Sequence, residues 1–191
     1  GGNCVEVEAQ GKRIVLDIGL PLTGEREVSV PAITGLSTRD DSLLGVFISH
    51  PHPDHYGLLE KIAAPVAVYM GEPSRRLIEV SAFFTPMPPL GNSETLGLVH
   101  QQPIQLGPFR ITPYRIDHSA YDSYCLLVEA DGKRLFYSGD VRGHGRNSQL
   151  FEELIRQPPQ DIDVFVCEGT QIGRELNFAY PDEQSVADAM A

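Results

Sequence analysis

Residues 43–55 read Leu-Leu-Gly-Val-Phe-Ile-Ser-His-Pro-His-Pro-Asp-His. The first seven form a short apolar run, the pattern of a strand covered on both faces. The last six gather three imidazoles and a carboxylate at its exit. Imidazole nitrogen with carboxylate oxygen is the donor set preferred by zinc, with manganese, iron or cobalt as alternatives. Pro51 and Pro53 each push the preceding residue toward extended backbone, so His50 and His52 share one geometry. In extended chain, residues i and i+2 project to the same side, and both rings can reach one ion. Asp54 and His55 are expected at the turn that follows, aimed at a second ion. The prolines also stiffen the loop and reduce the entropy lost when a metal is gripped.

Strand signals dominate on either side of this loop. Residues 3–9 and 12–18 alternate about Gln10-Gly11 and predict a hairpin, and 19–42 read as a long loop. A helix is expected over 57–63, a buried strand over 65–70 and a helix over 72–83, with Pro73 in its first turn. The proline-rich stretch 85–103 reads as irregular. Strands follow at 109–116, 124–129 and 134–137, the last two joined by Asp131-Gly132, a strong hairpin signal. A helix at 149–157 stops before Pro158-Pro159, 161–167 is a buried-type strand, and 181–191 opens another helix. Runs of strands with helices between some of them define an α+β or α/β class with a mixed sheet.

Composition narrows the function classes. The chain has 191 residues, 41% of them hydrophobic and 21% charged, enough for a real core. No apolar run approaches the roughly 18 residues of a membrane-spanning helix, and no signal peptide is visible. The net charge of −11 does not favour polyanion binding by overall charge, although a local patch or a metal could still hold nucleic acid. Cys4, Cys125 and Cys167 are dispersed in apolar contexts without CxxC spacing. They are expected to be buried free thiols in a reducing, cytoplasmic compartment.

Two later residues suit the same centre. His118 follows the strand 109–116 in Asp117-His118-Ser119, and Asp140 follows 134–137 in Ser138-Gly139-Asp140. Taken alone, one is a loop histidine and the other a turn residue. Behind the upstream cluster, in this order, they become the expected third histidine and a bridging carboxylate at one sheet rim.

With Asp17 in LDIG at a strand end, the ordered motifs HPHPDH, His118 and Ser-Gly-Asp140 resemble those of the metallo-β-lactamase superfamily. GGNCVEVEAQGKRIVLDIGLPL, DHSAYDSYCLLVEADGKRLFYSGDVRGHGR and VCEGTQIGR are similar to its ribonuclease J-like exonucleases and their β-CASP relatives. The resemblance implies an αββα sandwich with two divalent ions, zinc or alternatively manganese, at one edge of the sheets. It implies that His50, His52 and His118 hold the first ion, Asp54 and His55 the second, and that Asp140 bridges them. Asp17 would orient the histidine loop through hydrogen bonds, or serve only as a turn residue. Glu168 resembles an acidic motif of the β-CASP group that supports the histidine-bearing side. Asp54 would orient the attacking water and accept its proton, with RNA as the phosphodiester substrate.

The six histidines stand at 50, 52, 55, 100, 118 and 144, so the late histidine ligand of the family has no counterpart in these residues. Residues 1–180 are expected to be the N-terminal part of a metallo-β-lactamase-like domain. Residues 181–191 would start a following segment, of the kind that leads into a β-CASP domain. His100 reads as structural or surface, Arg142 and Arg146 as phosphate contacts or solvated loop, and Tyr121 and Tyr124 as core. A hydrolase of small esters, thioesters or lactams is the alternative function, and a non-catalytic binding module the second. A homo-oligomer stays open.

Overall fold

A computed structural model describes residues 2–21, 28–91, 94–170, 173 and 181–191. Parts of the expected loop 19–42 and of VCEGTQIGR lie outside the described residues. The N-terminal hairpin is β1 (Val5–Ala9) and β2 (Lys12–Leu16). Gln10 and Gly11 turn it with φ of 52° and 68°, the left-handed pair that a two-residue hairpin loop requires. Strand β3 (Leu43–Phe47) leads into α1 (Pro53–Tyr56) and a single 3-10 turn at Leu59–Lys61. Next come β4 (Val68–Met70), α2 (Glu72–Phe84), β5 (Thr95–Gly97) and β6 (Ile104–Leu106). The rest is β7 (Phe109–Ile116), β8 (Ser123–Ala130), β9 (Lys133–Tyr137), α3 (Ser148–Arg156), β10 (Val164–Val166) and α4 (Glu183–Met190).

Four expectations are corrected. The strand expected to be buried over 161–167 is the edge strand β10, whose Val164 and Phe165 are exposed. The helix expected over 57–63 is instead α1, which starts at Pro53. A proline in the first turn has its φ preset and gives up no needed N–H, so the helix begins inside the histidine motif and takes in Asp54 and His55. The stretch 85–103 contains β5, and β6 follows it directly. Each is three residues long and lies at a sheet edge, too short to show alternation among prolines and glycines. Of the three cysteines, Cys125 is buried and Cys4 half-buried, but Cys167 is exposed.

The strands form two five-stranded sheets, ordered β1-β2-β3-β4-β5 and β10-β9-β8-β7-β6. Period-two alternation distributes the side chains among the layers. Ile14, Leu16 and Phe47 from the first sheet meet Phe109, Ile111, Leu126 and Tyr137 from the second in the central core. Val15, Val46 and Ile48 face the other way, against Tyr56, Leu59 and Ile78. On the far side of the second sheet, Leu127 and Phe136 pack with Phe151 and Leu154 of α3. The layers therefore run helix, sheet, sheet, helix, as expected.

Strand direction places the site. Strand β2 runs parallel to β3, and β7 and β9 both run antiparallel to β8, so β7 and β9 point the same way. Asp17, residues 49–55, His118 and Asp140 are thus delivered by strand exits. A backbone bond from Tyr124 N–H to Ser49 C=O, 2.9 Å, ties the two sheets together there.

Candidate metal centre

The centre is anchored on a buried carboxylate. Asp17 has a φ of 58°, a left-handed conformation that Asp tolerates, and its side chain is fully buried. Asp17 Oδ1 accepts Ser49 N–H at 2.7 Å. Its Oδ2 accepts Ser49 Oγ at 2.8 Å, Tyr137 Oη at 2.5 Å and His55 Nδ1 at 2.7 Å. Since a carboxylate only accepts, the His55 ring carries a proton on Nδ1, and Nε2 is directed at the site. Ser49 and Tyr137, which the sequence reading assigned only to strands, complete this network.

Ser49 extends the same control to His50, whose Nδ1 lies 3.0 Å from Ser49 Oγ. The hydroxyl proton is given to Asp17, so Ser49 Oγ accepts from His50 Nδ1–H and leaves His50 Nε2 with its lone pair. That nitrogen stands 3.0 Å from His52 Nδ1, which is 3.2 Å from His118 Nε2. The ligand atoms of His50, His52 and His118 all lie within 4.8 Å of one another, and so do those of His50, His55 and Asp140. His55 Nε2 is 3.3 Å from Asp140 Oδ1 and 3.8 Å from Asp54 Oδ2. Five of the six expected ligands thus form two groups sharing His50, with Asp54 beside the second.

The electrostatics divide the histidines. Burial, reinforced by the neighbouring imidazoles, holds His50 well below the ordinary histidine pKa, and burial foremost also lowers His52 and His118. These rings are neutral, the form that binds metal. At His55 burial opposes charge, but the bonds to Asp140 and Asp17 outweigh it and raise the pKa to about 10. Burial likewise works against charge on Asp140, yet His55 and the other histidines hold its carboxyl below the usual value. Neutral, converging imidazole nitrogens fit a divalent cation in the first group, and in the second a cation would take the place of the proton on His55 Nε2 beside the Asp140 carboxylate.

Other residues brace the centre. Asp117, fully buried, accepts Gly145 N–H at 2.7 Å and Arg142 Nη2 at 3.3 Å. Arg142 also donates to the His118 carbonyl at 2.9 Å and to Glu183 at 2.8 Å. Arg142 is therefore held by protein groups, while Arg146 is exposed. Glu168 accepts Val141 N–H at 2.7 Å and so supports the Asp140 loop, while its charge also bears on His118. His100 accepts Arg115 N–H at 2.9 Å and is structural; His144 is exposed. Tyr124 is core, whereas Tyr121 is exposed. Asn3 is a site residue that the sequence reading did not single out: its Nδ2 lies 2.9 Å from His55 Nε2.

Comparison with known proteins defines the family and the fold. The beta-lactamase superfamily domain matches residues 12–184, and the chain belongs to that superfamily. It is 23% identical over 181 residues to Ribonuclease J of Mycoplasma genitalium, covering 89% of this chain and 31% of that protein. With Probable RNase MJ4 of Methanocaldococcus jannaschii it shares 26% over 207 residues, covering 97% and 45%. The chain thus spans less than half the length of these relatives. Among solved structures, a protein of unknown function from Enterococcus faecalis superposes with a TM-score of 0.82 at 22% identity, covering 100% of this chain and 53% of that one. The Rm3 metallo-beta-lactamase does so at 0.62 and 16%, covering 85% and 70%. The fold is the metallo-β-lactamase fold, a hydrolase architecture that implies divalent metal binding.

Proposed function

We propose that this chain is part of a metal-dependent hydrolase that cleaves RNA phosphodiester bonds, with residues 1–180 as the metal-holding domain and 181–191 opening a following segment. The observation that carries the proposal is the convergence of His50, His52 and His118 on one point, next to the His55–Asp140 pair. The names of the ribonuclease relatives support RNA as substrate. A pair of bound divalent cations, zinc or manganese, would lower the pKa of water and offset charge developing on a phosphodiester.

The protein groups have separate tasks. His50, His52 and His118 would hold the first cation, and His55, Asp54 and Asp140 would serve the second. Asp54, 19% exposed, reaches solvent at the mouth of the site and accepts the proton of the attacking water. Asp17 fixes the tautomer and aim of His55. Such a site selects by charge and geometry and needs no basic surface.

The test is cleavage of a 5′-labelled RNA oligonucleotide with added zinc or manganese, using the 191-residue chain beside a longer form of relatives' length. Metal-dependent cleavage, slower in the short chain and lost in Asp54→Asn, is expected. Hydrolysis of a thioester or lactam with no action on RNA would replace the substrate assignment.

A further inference from the structure

Pro181-Asp182-Glu183-Gln184-Ser185 opens α4 with a reciprocal cap. Asp182 Oδ1 accepts Ser185 N–H at 2.7 Å, and Ser185 Oγ accepts Asp182 N–H at 3.3 Å. The cap fixes where the first turn starts, and so where Glu183, the first helical residue, is placed. Glu183 N–H donates to His144 C=O at 3.1 Å. Its carboxylate accepts Arg142 Nη1 on Oε1 at 2.8 Å and Arg146 N–H on Oε2 at 3.0 Å. One residue of α4 thus holds the loop 142–146 at both ends and in the middle.

That loop in turn holds the residues that present His118. Arg142 N–H donates to Asp117 C=O at 2.7 Å, Arg142 Nη2 to His118 C=O at 2.9 Å, and Gly145 N–H to Asp117 Oδ2 at 2.7 Å. A Cβ at Gly145 would lie 2.1 Å from Arg142 Nη2 and 2.5 Å from Asp117 Oδ1, so glycine is what lets the three close together. An exposed ion pair is worth little by itself. Arg142, however, is largely covered, and its planar fork is tied at Nη1 to Glu183 and at Nη2 to His118. Without the first tie the guanidinium is free to turn and leave the His118 carbonyl.

We propose that Glu183 is a positioning residue for the first cation: through Arg142, α4 sets where His118 stands opposite His50 and His52. This rests on the reading of those three histidines as a cation site. Coupling between two sites is reciprocal, so a cation that fixes His118 also holds α4 against the loop 142–146. The element at the start of the segment 181–191 is thereby a control on the affinity of the metal centre.

The test is zinc calorimetry, cobalt(II) absorption and amide hydrogen exchange on the chelated 191-residue chain. Glu183→Ala is expected to weaken the first equivalent about threefold to tenfold and to shift the visible band of cobalt(II) bound there. Gln184→Ala removes the bond from Gln184 Nε2 to Asp188 within α4, leaves Glu183 in place, and is expected to match the wild type. In the wild type, zinc is expected to slow exchange of the α4 amides by the same factor, and Glu183→Ala to abolish that slowing. A first equivalent and cobalt band unchanged in Glu183→Ala, or α4 exchange indifferent to zinc in the wild type, would overturn the role of Glu183 alone. Equal weakening by Gln184→Ala would mark a general loosening of α4 and overturn it too. A wild type that binds no cation would overturn it together with the metal-centre reading.

Discussion

Asp17 Oδ2 and His55 Nδ1 lie 2.7 Å apart with both side chains sealed from solvent, so one carboxylate at the exit of β2 fixes the orientation of a ring in α1. The pair links the exit of the second strand of the first sheet to the segment that forms the centre. Tyr137 from the second sheet bonds to the same oxygen, and the site is therefore set where both sheets meet.

Replacing Asp17 by Asn keeps the shape and tolerates the left-handed φ, so it isolates the charge. The four donors around the carboxylate would then face a neutral group that must itself donate. Loss of about 3–5 kcal/mol of stability is expected in urea denaturation of the chelated chain, with affinity for the second cation reduced 10- to 100-fold. Unchanged stability would show that Asp17 is only a turn residue.

The pH dependence of the chelated chain follows from the split among the histidines. His55, raised from 6.5 to about 10, contributes stability that is complete below about pH 6.5 and is lost as pH rises through 10. His50, His52 and His118 are lowered, so their contribution is present above pH 6.5 and is lost as pH falls. Stability is expected to decline on both sides of neutrality, and His55→Gln to flatten the alkaline side. Urea midpoints from pH 5 to 10.5 measure this; an alkaline limb identical in both proteins would contradict it.

Gly19 is required by close approach. A Cβ there would lie 1.6 Å from the Asp54 carbonyl oxygen, against backbone that cannot yield without moving α1. Gly19→Ala is expected to cost about 3 kcal/mol or more and to weaken both cation equivalents. Denaturation and calorimetry on the same preparation check the two effects.

Arg142 holds the His118 carbonyl, Asp117 and Glu183 at once through its fork of donors, which a lysine cannot reproduce. Arg142→Lys is expected to weaken the first cation about tenfold by loosening His118. The second equivalent should be affected less. Equal affinities for the first cation in both proteins would remove Arg142 from the support of His118.

The centre was legible where its chemistry is local. Three histidines and an aspartate within six residues declare a donor set, and prolines between them restrict the backbone enough to foretell a shared direction. His118 and Asp140 were legible only through their order and strand exits, since their convergence depends on how two sheets pack. Ser49, Tyr137 and Asn3 gave no signal: the first two alternate correctly as strand residues, and asparagine is common in turns. The helix boundary was misplaced because a proline that interrupts a helix also starts one well. Strands β5 and β6 were missed because three-residue edge strands take their pairing from neighbours, not from their own pattern.

The centre itself is tested most directly by anomalous diffraction at the zinc edge from crystals of the chain grown with zinc. The expected map has one peak among His50, His52 and His118 and a second beside His55 and Asp140. Featureless density at both places in zinc-soaked crystals, with the six side chains ordered as described, would contradict a metal-dependent hydrolase.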